Sequence, residues 1–175
     1  MYVDQQASVT MVFVVIRDSV AVIRGGGMYV NFPGRFEIRQ SAVLNNSCAG
    51  NGGGAYVKAQ TTTMVLFDRS VFSRNRATIG AGMFLGPGGL SGVCNLAECS
   101  IESNSAVEDG GGLAIYAAMA IVESSVVSFN DASSGGALVA DSSATCSIGN
   151  TLVASNRASK GGAFYVSGTS TSLFI

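Results

Sequence analysis

A chain of 175 residues with 12% charged side chains and a net charge of −1 has no basic surface to hold a phosphate backbone, which argues against nucleic acid as a partner. It contains no His, so the commonest general base and metal ligand is missing, and its 23 glycines and two prolines describe short strands joined by tight turns. The length is that of one domain and no stretch has the composition of a linker, so residues 1–175 read as a single unit.

The first apolar run, residues 11–16, is far shorter than the ~20 residues that span a bilayer and reads as a strand. No basic segment precedes it and no cleavage-type site follows, so a signal peptide is not supported. Met1-Tyr-Val3 matches Met28-Tyr-Val30, Ala55-Tyr-Val57 and Phe164-Tyr-Val166, each of the last three preceded by glycines or a Gly-Gly pair. Residues 169–175 resemble residues 61–67 in the same way. Both ends are therefore expected to lie in mid-repeat, as in a segment of a longer protein. Next, Val14, Ile16 and Ser19 read as strand and corner positions, which places Arg24 where a repeated Asn belongs and makes the first coil one without a loop.

From residue 46 onward a phrase recurs: an Asn, a small residue two positions on, a glycine cluster, and an apolar run. The Asn positions are Asn46, Asn75, Asn104, Asn130 and Asn156, at spacings of 29, 29, 26 and 26 residues. A period of that length signals stacked repeats, in which each unit buries its apolar face only against its neighbours. Ten residues before each Asn stand Phe36, Val65, Cys94, Ala120 and Cys146, and eight before stand Ile38, Phe67, Leu96, Val122 and Ile148, all apolar. Alternation with period two makes this an inward-facing strand. The position between them is mixed, from Glu37 to Ile121, and is expected to be partly exposed. Five before the Asn comes a small corner residue, Ser41, Ser70, Cys99, Ser125 or Thr151; three before comes an apolar one, Val43, Phe72, Ile101, Val127 or Val153.

Each repeat thus predicts two strands up to the Asn, a loop, and a third strand after the glycines. The expected fold is all-β, a parallel β-helix of about six coils with three short strands per coil, roughly 25–30 Å long at about 4.8 Å per coil. Helices fail on periodicity, because no window sustains an i, i+3, i+4, i+7 pattern and glycine interrupts every repeat. The Asn column is read as structural: Asn tolerates the left-handed backbone of a sharp corner, and stacked carboxamides hydrogen-bond from coil to coil. The glycine clusters supply φ > 0 and close approach; no GK[ST] follows any of them, which argues against a phosphate loop.

Four groups of side chains bear on chemistry. Asp68 and Glu123 share a column, but Ala97 stands between them, leaving them roughly 10 Å apart at two coil spacings. Glu98, Glu102, Glu108, Asp109, Asp131 and Asp141 are scattered over strand edges and loops, where Arg74, Arg76, Arg157 and Lys160 offer exposed ion pairing. Cys94 and Cys146 are separated by Ala120, beyond the ~7 Å reach of a disulfide, and the four cysteines form no zinc motif; no metal or cofactor is expected. Tyr29, Tyr56 and Tyr165, with Phe84 alongside, fall between inward-facing neighbours and are expected to form an outward aromatic stripe suited to a glycan or a protein.

Phe72-Ser-Arg-Asn75 is an FxxN and Gly135-Gly136-Ala137-Leu138 is a GGA[ILV], and these motifs resemble the polymorphic membrane protein repeats of bacterial surface autotransporters. The other copies are looser, with Val43, Ile101, Val127 and Val153 replacing the Phe. The resemblance implies a right-handed parallel β-helix of the pectin-lyase-like type, at the cell surface or secreted, serving adhesion. The expected role is a non-enzymatic structural or adhesive rod that displays loops. The alternatives are a fragment of a polysaccharide-acting lyase or hydrolase, and a glycan-binding module. Open strand edges at both ends favour end-to-end association, and no direct membrane insertion of this segment is expected.

Overall fold

The computed structural model describes residues 1–4, 8–32, 34–59, 64–87 and 92–175. The part of the 61–67 match that covers residues 61–63 lies outside them. Among the described residues every regular element is a strand, and every strand pair is parallel. The chain winds through four sheets in turn, about six times. Sheet A runs from Tyr2–Asp4 through Met28–Phe32 to Phe164–Val166; sheet B from Val9–Val12 through Arg35–Arg39 to Ser172–Phe174. Sheet C runs from Val15–Arg17 through Val71–Ser73 to Leu152–Ala154, and sheet D from Val20–Ala21 through Arg76–Ile79 to Arg157–Lys160.

Register follows the predicted rows. Ile16, Val43, Phe72, Ile101, Val127 and Val153 pair consecutively down sheet C, and all ten strand positions named for sheet B are buried. Tyr2 and Val3 pair with Tyr29 and Val30, which places the N-terminal residues in the sheet A rows. Together the inner faces of sheets A, B and C enclose the main core, where Phe36, Phe67, Phe72, Leu96, Ile101 and Ile115 are almost wholly excluded from solvent. Phe67 meets Phe72 edge-on, with ring centroids 5.1 Å apart, a geometry that favours the ring quadrupoles.

The stretch between each Asn and its glycines, read above as a loop, carries the fourth strand. Sheet D folds over a small core of its own, built from Cys48, Ala77, Ala81, Ala106 and Ala132 with Ala21 beside them. The chain returns so tightly that the last glycine of a cluster packs on the ladder Asn of the next coil. A Cβ on Gly27, Gly54 or Gly82 would stand 3.0–3.1 Å from the side chain of Asn46, Asn75 or Asn104 respectively. The coupling of Asn to glycine in the repeated phrase is thus a contact across a neck that separates the main core from the sheet D lobe.

Three sequence-based readings are corrected. The Asn residues do not themselves adopt the left-handed backbone; the residue before each one does, at Asn45, Arg74, Ser103, Phe129 and Ser155, with φ between 53° and 58°. A second left-handed row, Phe13, Gln40, Arg69, Glu98, Ser124 and Asn150, precedes the Ser corner. In the first coil, Ser19 and not Arg24 occupies the Asn column: Val20 pairs with Ser47, and the Ser19 N–H donates to Asn46 Oδ1 at 3.1 Å. That coil has its full sheet D passage, and Arg24 instead bridges to Asn51, just before the glycines. Finally, Glu37 is buried rather than partly exposed, because Arg35 and Arg39, two positions away on the same strand face, both close on its carboxylate, Arg39 at 3.2 Å.

Candidate functional site

The Asn column lines the neck. From Asn75 onward each Oδ1 accepts twice, from the backbone N–H and from the side-chain Nδ2 of the Asn one coil earlier: for Asn104 these are Asn75 N at 2.9 Å and Asn75 Nδ2 at 3.0 Å. The second amide hydrogen goes to a main-chain carbonyl, as from Asn75 Nδ2 to Val43 O at 3.0 Å and from Asn104 Nδ2 to Phe72 O at 3.0 Å. The pattern runs unbroken from Asn46 to Asn156. Asn46, Asn75, Asn104 and Asn130 are at most 1% exposed. A buried amide is tolerated only when its donors and acceptors are matched, and here they are, entirely by the protein itself. A shorter ladder of hydroxyls runs along the Ser corner, where Ser41 N donates to Ser70 Oγ and Cys99 N to Ser125 Oγ.

The aromatic residues form a row on the outer face of sheet A. Ring centroids are 5.2 Å apart from Tyr2 to Tyr29, 5.2 Å from Tyr29 to Tyr56 and 5.0 Å from Tyr56 to Phe84; Tyr116 then leans back to within 5.5 Å of Phe84. Tyr165 is set apart from them by Ala114 and Val139 in the pairing register. The outward direction is as expected, yet the middle of the row is closed to solvent. Tyr56 and Phe84 are each 4% exposed, packed with Ala114 and Ile79, and the Arg24 guanidinium lies 5.1 Å from the Tyr56 ring centroid. Successive near-parallel rings stack on one another, so the faces a sugar would use at Tyr56 and Phe84 are occupied. Burial raises the Tyr56 hydroxyl pKa, partly offset by Arg24. The Tyr116 hydroxyl donates to Asp109 Oδ2 at 2.7 Å; burial first, and then this bond, hold it protonated well above the ordinary phenol range.

Asp68 and Glu123 both pair with Ala97, one from each side, so a full coil lies between them. Each is engaged locally. Asp68 has Arg69 at 4.0 Å, and Glu123 Oε1 accepts from Asn150 Nδ2 at 2.5 Å while its carboxylate lies over Gly149. The structure does not bring them together as an acid–base pair. Cys94 and Cys146 both pair with Ala120, and all four cysteines are buried and outside any disulfide. Burial pushes the thiol of Cys99 up to about 11 and that of Cys146 up to about 12. Cys99 Sγ also donates to the carbonyls of Phe67 and Ala97, each at 3.3 Å. Among the described residues no group of three or more His, Cys, Asp or Glu side chains is placed to hold a metal ion.

Several participants were not singled out from the sequence. Tyr2, Arg24 and Tyr116 join the aromatic row, and Arg35 and Arg39 clamp Glu37. The Arg-x-Glu-x-Arg spacing is the one signal that would have found the clamp, since period two puts all three on one face. No family model, no curated protein and no solved structure matches this chain.

Proposed function

We propose that the chain is a rigid, non-enzymatic segment of a surface or secreted protein, a rod whose task is to space and display its outer faces. The observation that carries this reading is the state of the side chains that could do chemistry. Asp68 and Glu123 stand a coil apart and are held by Arg69 and Asn150, while the Asn column is saturated by its own neighbours. Repeated, self-satisfied rows suit a scaffold. The FxxN and GGA motifs add support by likeness to autotransporter repeats, as does an all-parallel solenoid. The likeness to pectin-lyase-like proteins and the extracellular or cell-surface location belong to the same reading.

The test is incubation of the purified protein with acidic polysaccharides, with and without Ca²⁺, while reducing ends and unsaturated products are followed. No release is expected. Turnover that disappears in Asp68→Asn or Glu123→Gln would overturn the proposal in favour of a lyase or hydrolase. Labelling of intact source cells with an impermeant amine reagent tests location, and protection of the protein until lysis would remove the surface assignment.

A further inference from the structure

Six of the eight arginines have an evident partner. Arg69 meets Glu98 at 3.1 Å, Arg157 meets Asp131 at 2.8 Å, Arg35 and Arg39 hold Glu37, Arg17 stands 3.6 Å from Asp18, and Arg24 covers Tyr56. Arg74 and Arg76 have none: among the described residues neither joins an ion pair or a side-chain hydrogen bond. They flank Asn75 at the re-entrant corner between sheets C and D, where two clefts adjoin. One, of about 280 Å³, is lined by Asp18, Asn45, Ser47, Arg74 and Arg76 together with the ladder Asn46 and Val20. The other, of about 330 Å³, shares Asp18, Asn45 and Arg74 and adds Arg17 and Leu44.

The immediate neighbours of the two arginines in their rows are neutral and polar. Arg76 pairs with Ser47 on one side and Ser105 on the other; Arg74 follows Ser73, whose partners precede Asn45 and Ser103. The equivalent position lower in the Arg76 row is filled differently: Asp131 is followed directly by Arg157, and each neutralises the other. The one carboxylate in the clefts, Asp18, is already engaged, accepting from Asn45 Nδ2 at 2.7 Å. Two uncompensated guanidinium groups beside free hydroxyls and an amide are the donor set for an oxyanion with hydroxylated surroundings.

We infer that the corner between sheets C and D around Arg74 and Arg76 is a binding site for an acidic sugar unit of a glycan, engaged through its sulfate or carboxylate group. Two free cations are too few to hold a nucleic acid backbone. Apart from Val20 and Leu44 the lining is polar, which offers no pocket for the apolar side chains of a peptide. The inference rests on the display reading in one respect: the sugar is bound and not cleaved.

The experiment is a titration of isotope-labelled protein at low ionic strength, following the Arg Nε–Hε signals by NMR. The probes are a sulfated heparin disaccharide, unsulfated digalacturonate, inorganic sulfate and a short acidic peptide. One or both sugars should shift the Arg74 and Arg76 signals saturably and bind at least tenfold more tightly than inorganic sulfate or the peptide; which sugar does so identifies the oxyanion. Binding should weaken at least tenfold in the Arg74→Gln/Arg76→Gln variant and stay unchanged in Arg157→Gln. Position 74 has φ +58°, so the single variant Arg76→Gln, at an ordinary backbone position, repeats the test without touching the corner. The absence of a saturable shift overturns the site, as does equal binding of sulfate or peptide, or binding retained by both variants. Cleavage of a bound sugar leaves the site standing and overturns the display reading instead.

Discussion

The main core and the sheet D lobe are built from the same repeat and cross the same neck, yet they are filled by different means. Under sheets A, B and C the rows carry Phe, Ile, Leu and Met; under sheet D they carry Ala and one Cys. The difference follows from distance. Sheet D returns to the glycines within a few residues of leaving the Asn, so only a side chain of one or two heavy atoms fits between its strand and the glycine backbone, whereas the other three sheets stand far enough apart to enclose aromatic rings. Stability by burial therefore resides in the main core, while the lobe is held chiefly by its backbone ladders.

Four perturbations would break or sharpen that contrast. The largest effect is expected from Phe72→Ala, which empties a fully buried site facing Phe67 and should cost about 3–5 kcal/mol by urea unfolding. Next, Asn104→Ala removes the acceptor for Asn75 N and Asn75 Nδ2; a buried donor left unmatched costs about 1–3 kcal/mol, so a loss of about 2–4 kcal/mol is expected. Asn104→Asp should not restore it, since the carboxylate cannot donate to Phe72 O. In the lobe the dangerous change has the opposite sign of volume. Ala106→Leu overfills the small core and should cost about 1–3 kcal/mol; an equal stability for this variant would show that sheet D can swing away from the glycines.

The last effect is absent at neutral pH and is read from the thiols as the pH rises. Cys99 and Cys146 ionise at about 11 and about 12 when folded, against an ordinary value of 9.0. Between pH 9 and 11 the unfolded chain therefore carries fewer protons than the folded one. Stability is complete below pH 9 and falls as the pH rises, by at most about 1.4 kcal/mol per thiol per pH unit. A urea midpoint that stays level from pH 8 to 11 would contradict this. Labelling with iodoacetamide under native conditions should reach Cys48 in the thin lobe before Cys94, Cys99 or Cys146, because local opening of the lobe exposes little apolar surface. Simultaneous labelling of all four would mean that lobe and core open as one unit.

The main core was legible because large apolar residues recur at fixed distances from each Asn, and a row such as Val43, Phe72, Ile101, Val127 and Val153 has one physical explanation. Sheet D was not, because its inward residues are alanines, which carry little hydrophobic contrast against their neighbours. The first coil was misplaced for a related reason. Ser19 offers the backbone N–H that the ladder uses but not the carboxamide that marks the column, so the glycines at 25–27 drew the alignment instead. The closure of the aromatic row over Tyr56 depends on Arg24 and Ile79, which reach it from other coils at the sheet D corner. Local spacing carries no trace of that approach. What remained visible at the candidate site was the separation of Asp68 from Glu123, which needs only the coil count.

The carboxamide ladder also has a sense of direction. Every Asn from Asn46 to Asn130 sends its main-chain hydrogen and one side-chain hydrogen to the carboxamide of the following turn and its other side-chain hydrogen back to a carbonyl of the turn before, while Ser19 contributes a main-chain hydrogen alone. A polymer of such units has unlike termini, as a screw has a head and a point. Whole turns inserted by an engineer after Asn75 or Asn104 would be accepted only if each brought its own amide at that station.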